Sequence, residues 1–155
     1  MNFEDFLMDV EPKYQWFARS IDEYLTQNDC KLKMSSAKNG HVVSYQYGKK
    51  KYVLMNFVFR KKGLMARLYC SNVDKYLDTL ETLPDSMKEV ILNSPQCKRF
   101  EDPPKCAPTC VGYAFDFQGV HLKSCKYSCF LFEVNDETIP SIETLIKKEL
   151  ESRKN

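Results

Sequence analysis

The amino-acid sequence predicts an α+β fold. An antiparallel four-stranded meander carries helices on one face, and a small cysteine-rich β-hairpin and a terminal helix follow it. Apolar residues recur at helical spacing over 1–29, alternate with a period of two over 30–70, and return to helical spacing near the end of the chain. With 155 residues, 43% of them hydrophobic, the chain can bury the core of one domain. We divide this single domain, 1–155, into a sheet core at 1–94, a hairpin module at 95–134 and a terminal helix at 138–155.

Two helices open the chain, and Pro12 stands where the second one begins. Four strands follow, at "CKLKM", "HVVSYQY", "YVLMNFVF" and "LMARLYC", since these stretches alternate or are rich in β-branched and aromatic residues. Ser71 or Asn72 can cap a third helix, Pro84–Asp85 restarts a fourth, and Ser94–Pro95 ends it.

The cysteine-rich region contains a predicted hairpin, "YAFDFQGVHLKS". Its loop is Gln118–Gly119, because glycine accepts a positive φ, and the strands then pair outward from Phe117 and Val120. The segment "CFLFEV" reads as one more strand, and Pro140 lies near the start of the terminal helix.

The hairpin turns predict which side of the sheet is core. A turn at Arg60–Gly63 collects only apolar side chains on one face, which should take the helices. The same turn places a mixed set on the second face: Leu54, Asn56, Val58, Met65, Arg67 and Tyr69. A four-residue turn at "GKKK" adds Val43, Tyr45, Tyr47 and Tyr52. We expect the cysteine module to cover this second face, with Arg67 extending to solvent or paired. The alternative is a concave site in which Tyr45, Asn56, Arg67 and Tyr69 hold an anionic or planar ligand.

The charges are distributed unevenly. Residues 1–29 hold seven acids and two bases, whereas residues 30–73 hold ten bases and no Asp or Glu. Lysine clusters fall in two successive predicted turns, "GKKK" and "RKK". Turn lysines usually serve solubility, but these could also contact phosphates.

The acidic start "MNFEDFLMDV" does not fit a secretory signal, and no apolar stretch approaches the roughly 20 residues that span a bilayer. We therefore expect a cytoplasmic protein without a membrane partner. In a reducing compartment, seven cysteines are expected to be metal ligands, buried residues or redox sites rather than a disulfide framework.

Four of the cysteines predict a structural zinc site: Cys97, Cys106, Cys110 and Cys125. The hairpin register brings Cys125 diagonal to Cys110, and four thiolates complete the tetrahedral shell of a structural zinc ion. Cys129 could replace Cys97 or Cys125, although it begins an apolar strand and is expected to be a buried side chain. We expect His121 to be a surface residue near Asp116.

The segments "KYQWF", "NFVFRKKGLMARLY", "LPDSMKEVI", "CKRF" and "CAPTCVGYAFDFQG" resemble a group of small, cysteine-containing cytosolic proteins of Gram-positive anaerobic bacteria. The first hundred residues are also similar, in element order, to the YdhG-like family of unknown function, an α+β fold. Neither resemblance implies a catalytic residue.

These observations favour a non-enzymatic binding protein, stabilised by zinc, whose basic and aromatic sheet binds an anionic small molecule or a protein partner. The alternative is a nucleic-acid-binding regulatory protein in which tyrosines stack on bases. An enzyme using the Cys125 thiol and His121 is the least favoured hypothesis, because the chain has only two histidines and neither is placed with an evident orienting partner.

Overall fold

The computed structural model describes residues 1–107, 113–125 and 130–154, with only the backbone of Tyr113. The helices are α1 (Phe3–Asp9), α2 (Gln15–Gln27), α3 (Leu77–Leu80), α4 (Asp85–Leu92) and α5 (Ile139–Lys154). The strands are β1 (Cys30–Ala37), β2 (Gly40–Tyr47), β3 (Tyr52–Arg60), β4 (Gly63–Leu68), β5 (Tyr113–Phe117), β6 (Val120–Ser124) and β7 (Phe130–Glu133). Short 3-10 turns occupy Pro12–Tyr14, Val73–Lys75 and Lys98–Phe100. The mixed helix and strand content confirms the predicted α+β class.

The main sheet is antiparallel and has five strands in the order β1-β2-β3-β4-β7. The predicted meander of four strands is present, and the predicted turn at Arg60–Gly63 pairs Phe59 with Leu64 as expected. The strand at "CFLFEV" joins the meander as β7 beside β4, which the sequence did not predict. Strand pairing across a long chain separation is set by tertiary packing, so local periodicity could not reveal it.

The helices pack on one face of this sheet. Phe57 at the centre of β3 lies with its ring centroid 5.6 Å from Phe6 of α1 and 6.1 Å from Phe17 of α2. On β4 and β7 the residues of this face are buried and alternate with half-exposed residues of the other face. This alternation is typical of a sheet with one covered side.

The hairpin β5-β6 has the predicted register, with Phe117 opposite Val120 and a loop of positive φ at Gln118 and Gly119. Its buried apolar residues belong to the same core as the helices, and the Phe115 ring meets Phe130 edge-on at 6.2 Å. The described hairpin therefore packs on the helix side. The expectation that it would cover the second face of the sheet was wrong.

The region between β4 and β5 is less regular than predicted. The expected helix after Asn72 is interrupted at Tyr76 (φ −142°, ψ 40°), which separates a 3-10 turn from the four-residue α3. Tyr76 donates a 2.7 Å hydrogen bond to buried Glu149 of α5. None of the helices in the described ranges combines the length and apolar character needed to cross a membrane.

Candidate ligand site on the open face

The sheet face opposite the helices carries half-exposed and polar side chains. We call it the open face; its members are Lys31, Lys33, Ser35, Val42, Ser44, Gln46, Val53, Asn56, Val58, Met65, Arg67, Tyr69, Leu131 and Glu133. Most of these side chains are half-exposed or exposed, while Asn56 and Val58 in the centre are shielded by their neighbours. The face is therefore accessible, and its centre is partly desolvated.

One row of side chains crosses this face from edge to edge. The strand registers place Lys33 opposite Ser44, Ser44 opposite Asn56, Asn56 opposite Arg67, and Arg67 opposite Leu131. Neighbouring strands lie about 4.8 Å apart, so Lys33 and Arg67 are separated by about 14 Å at the backbone. Two cations thus flank a short uncharged polar stretch.

Several polar atoms in and beside this row have no protein partner among the described residues. The Asn56 amide donates through Nδ2 to the Tyr69 hydroxyl at 3.3 Å, but its Oδ1 and the Oε1 of Gln46 are buried and accept no hydrogen bond there. In the same described ranges, the half-buried Arg67 side chain makes no hydrogen bond or ion pair. The centre of the open face thus presents two acceptors and a guanidinium that a ligand could satisfy.

The electrostatic potential of this face should be positive. Strands β1 to β4 carry no Asp or Glu, and the acid on the open face, Glu133, lies on β7 with its Oε2 3.9 Å from Lys62 Nζ. A surface with several cations and one acid at its rim attracts anions and speeds their association.

Tyr45 does not belong to this site. The pairing of β2 with β3 shifts between Tyr45 and Gln46, so Tyr45 lies opposite Met55 on the helix face, fully buried. Its hydroxyl donates to Asp22 of α2 at 2.8 Å, and burial raises the pKa of Tyr45 well above its ordinary value. The predicted turn was correct, but a β-bulge adds one residue to β3 between Val53 and Met55, so alternate residues of β2 face the helices where the unbulged register placed them on the second face. The placement of Val43, Tyr45 and Tyr47 on the second face was therefore wrong, since Tyr47 also packs against the helix-side core.

The two lysine clusters lie at opposite ends of the sheet. One occupies the β2-β3 turn at 49–51 and the other the β3-β4 turn at 60–62, and β3 runs between them. A strand of this length, nine residues, spans about 30 Å. The two clusters therefore cannot bind the same small anion, although an extended polyanion could contact both.

The predicted zinc ligands fall partly outside the described residues, which exclude Cys110 and the alternative ligand Cys129. Cys97 is buried, Cys125 is half-buried and Cys106 is exposed. The Cys97 N–H donates to the Lys123 carbonyl at 2.8 Å, and the Lys105 N–H to the Lys98 carbonyl at 3.0 Å. These two bonds draw the three cysteine-bearing segments together.

In the described part of the chain, no group of three or more His, Cys, Asp or Glu side chains is arranged to hold a metal ion. The four-cysteine site stays a prediction, since one of its ligands is not described.

The structure does not bring Cys125 and His121 together as a thiol enzyme would require. His121 lies within β6 and Cys125 directly follows this strand. The two residues are four positions apart, which corresponds to about 13 Å of extended chain. His121 is exposed, and its Nδ1 lies 2.7 Å from Asp116 Oδ1 across the hairpin, as the predicted register implied.

Sequence reasoning placed Asn56, Arg67 and Tyr69 on this face but missed their neighbours Lys33, Ser44 and Gln46. The alternation of "CKLKM" placed Lys31 and Lys33 on one face, yet nothing local indicated which face. The β-bulge decides that, and a bulge leaves little trace in the periodicity of so short a strand.

Comparison of the chain with protein-family models, curated proteins and solved structures finds no match. The resemblance to small cysteine-containing proteins of Gram-positive anaerobes and to the YdhG-like family therefore stays a hypothesis.

Proposed function

We propose that this protein is a non-enzymatic binding domain that holds an anionic ligand on the open face of its sheet. The observation that carries this proposal is the row Lys33–Ser44–Asn56–Arg67, in which a half-buried guanidinium has no protein partner among the described residues. The ligand is an anionic small molecule or an acidic group of a partner protein.

The energetics favour a ligand with both acceptor and donor groups. An anion accepting from Arg67 forms a charge-assisted hydrogen bond, which contributes about 1.5–3 kcal/mol. A donor on the same ligand could reach Asn56 Oδ1, which is buried and unsatisfied among the described residues. Leaving such an acceptor unpaired costs about 1–3 kcal/mol, so a ligand that pairs it gains affinity and specificity.

Replacing Arg67 by glutamine tests this site. In a thermal-shift screen with inorganic phosphate, pyrophosphate and citrate, at least one anion should raise the Tm of the unmodified protein. At 100 times Kd, a ligand adds about 2.7 kcal/mol, which corresponds to a shift of several degrees. Arg67→Gln should abolish the shift. Lys61→Gln is the matched control, because it removes one positive charge from an exposed turn. Equal shifts in all three proteins, or none in the unmodified protein, would contradict the proposal.

A nucleic acid is the second candidate ligand, favoured by the acid-free segment 30–73 with its ten bases. A labelled oligothymidine should then bind with an affinity that falls steeply with salt, because bound lysines release counterions. Replacing Lys49, Lys50 and Lys51 together by glutamine would weaken this binding at least as much as Arg67→Gln. The affinity for a small ligand bound only at the row Lys33–Ser44–Asn56–Arg67 should not change in that triple variant.

A structural zinc ion held by Cys97, Cys106, Cys110 and Cys125 remains part of the proposal, as does a cytoplasmic location, where reduced thiols stay available to metal. Protein purified without added metal should contain about one zinc per chain. Removing zinc with a chelator should speed the alkylation of Cys106. Cys30 is the internal control, because burial raises the pKa of its thiol to about 11 and keeps it unreactive at pH 8. Zinc-free protein whose Cys106 reacts equally fast with and without chelator would overturn the site.

A further inference from the structure

Strand β1 forms one edge of the five-stranded sheet and is paired with β2 alone in the described part of the chain. It is eight residues long, and most of its side chains are exposed or half-exposed. An edge of this length presents a row of backbone donors and acceptors that another strand can use.

The outward backbone groups of β1 can be assigned from a bond at the other end of the sheet. Residues of an antiparallel strand direct their N–H and C=O groups alternately to one side and the other. The Val134 N–H donates to the Leu64 carbonyl at 3.1 Å, so Leu64 is directed towards β7. Leu64 thus turns its backbone groups away from β3, and its partner Phe59, like Phe57 two residues before it, turns its own groups towards β2. Val43, which pairs with Phe57, is then directed towards β3, and the next residue, Ser44, towards β1. Lys33, the partner of Ser44, is therefore directed towards β2. The residues that direct their backbone outward are Cys30, Leu32, Met34 and Ser36.

The side chains of β1 alternate between two chemistries. Lys31 and Lys33 are exposed on the open face, whereas Leu32 and Met34 lie on the helix face, half-buried against the core. A strand added beside β1 would place its own residues next to these, face by face. In the added strand, the residues beside Lys31 and Lys33 should be acidic, and the residues that alternate with them should be apolar.

We propose that the β1 edge binds an extended segment of a partner protein in which acidic and apolar residues alternate. The segment adds a sixth strand: backbone hydrogen bonds to Leu32, Met34 and Ser36 supply affinity, and Lys31 and Lys33 select the acidic face. The same lysines disfavour a second copy of this chain, because pairing two β1 strands gathers four lysines on one surface. Lys33 also belongs to the row that ends at Arg67, but the outward backbone groups of β1 and Lys31 do not, so the two proposals can be tested separately.

The proposal is tested with a labelled peptide, TEVEVET, and a scrambled peptide of the same composition, EETVVTE. Met34→Pro deletes an outward N–H and leaves every charge in place, and proline is tolerated where an edge N–H points away from its sheet. Fluorescence anisotropy should show TEVEVET binding, EETVVTE binding weakly, and about tenfold weaker binding of TEVEVET to Met34→Pro. Arg67→Gln should leave the affinity for TEVEVET unchanged, and this result would distinguish peptide binding at the β1 edge from anion binding at Arg67.

A charge exchange keeps the proposal falsifiable if Met34→Pro does not fold. The double variant Lys31→Glu, Lys33→Glu should lose TEVEVET and gain TKVKVKT, in which lysines replace the glutamates. The control, Arg60→Glu with Lys61→Glu, changes the charge equally at the exposed β3-β4 turn, which lies at the opposite end of the sheet from Lys31, and should still bind TEVEVET. The acidic-segment proposal would be overturned if TEVEVET and EETVVTE bound with equal affinity, or if the double variant did not exchange TEVEVET for TKVKVKT. It would also be overturned if the protein formed a dimer that Met34→Pro dissociates.

Discussion

Replacing Glu149 by alanine should lower the free energy of unfolding by about 3–5 kcal/mol, because it removes the acceptor at the centre of a buried network. Glu149 is 2% exposed and accepts from the Tyr76 hydroxyl at 2.7 Å, the Asn72 N–H at 3.1 Å and Arg153 Nε at 2.7 Å. The change would leave the largely buried Arg153 guanidinium without its counter-charge.

The consequence should extend to the open face. Arg153 also donates to the Val53 carbonyl at 3.0 Å and the Tyr69 carbonyl at 2.7 Å, so the Glu149–Arg153 pair fixes the ends of β3 and β4 next to the Asn56–Tyr69 contact. Urea unfolding followed by circular dichroism measures the effect. Glu151→Ala, an exposed position on the same helix, should cost no more than about 0.5 kcal/mol. A Glu149→Ala protein as stable as Glu151→Ala would show that the network contributes little.

Replacing Phe57 by alanine should destabilise the protein by about 3–5 kcal/mol. Its ring is fully buried between α1 and α2, stacked on Phe6 and edge-on to Phe17. Alanine leaves a cavity that three surrounding elements cannot close, so both the transfer energy of the ring and the cavity contacts are lost. For a protein of this size the Tm should fall by roughly 2–4 °C per kcal/mol.

Trp16→Ala is the matched control for this prediction. Trp16 is a larger aromatic residue on α2, but it is 56% exposed and touches Phe17 only edge-on, at 6.1 Å. Its removal should change the midpoint of unfolding far less than Phe57→Ala. Comparable losses for the two variants would mean that the helices do not pack on β3 as described.

Much of the fold can be predicted from local sequence, because the turn of each hairpin sets the pairing register of its two strands. The turn at Arg60–Gly63 and the positive-φ loop at Gln118–Gly119 set strand pairings that the structure reproduces. Once a turn is placed, the alternation of side chains assigns every residue of the two strands to a face. Asn56 and Arg67 could therefore be predicted as cross-strand neighbours without knowledge of the rest of the fold.

The candidate site was only half predictable, since it depends on how separate hairpins meet. A single extra residue in β3 placed Tyr45 under α2, whereas Lys33 and Ser44 line up with Asn56 on the open face. The β-bulge is a local distortion that tertiary packing stabilises, here by burying both Leu54 and Met55. Periodicity over five or six residues does not report it.

By itself, the sequence determined the α+β class, the paired strands of each hairpin and an acid-free basic segment over 30–73, because these depend on neighbouring residues and short turns. Only the tertiary structure decided that β7 joins the meander, that the described cysteine-rich hairpin packs on the helix side, and that the opposite sheet face keeps half-exposed side chains. Those outcomes depend on contacts between distant segments, whose free energies come from the shared core and are not encoded in any one stretch of chain.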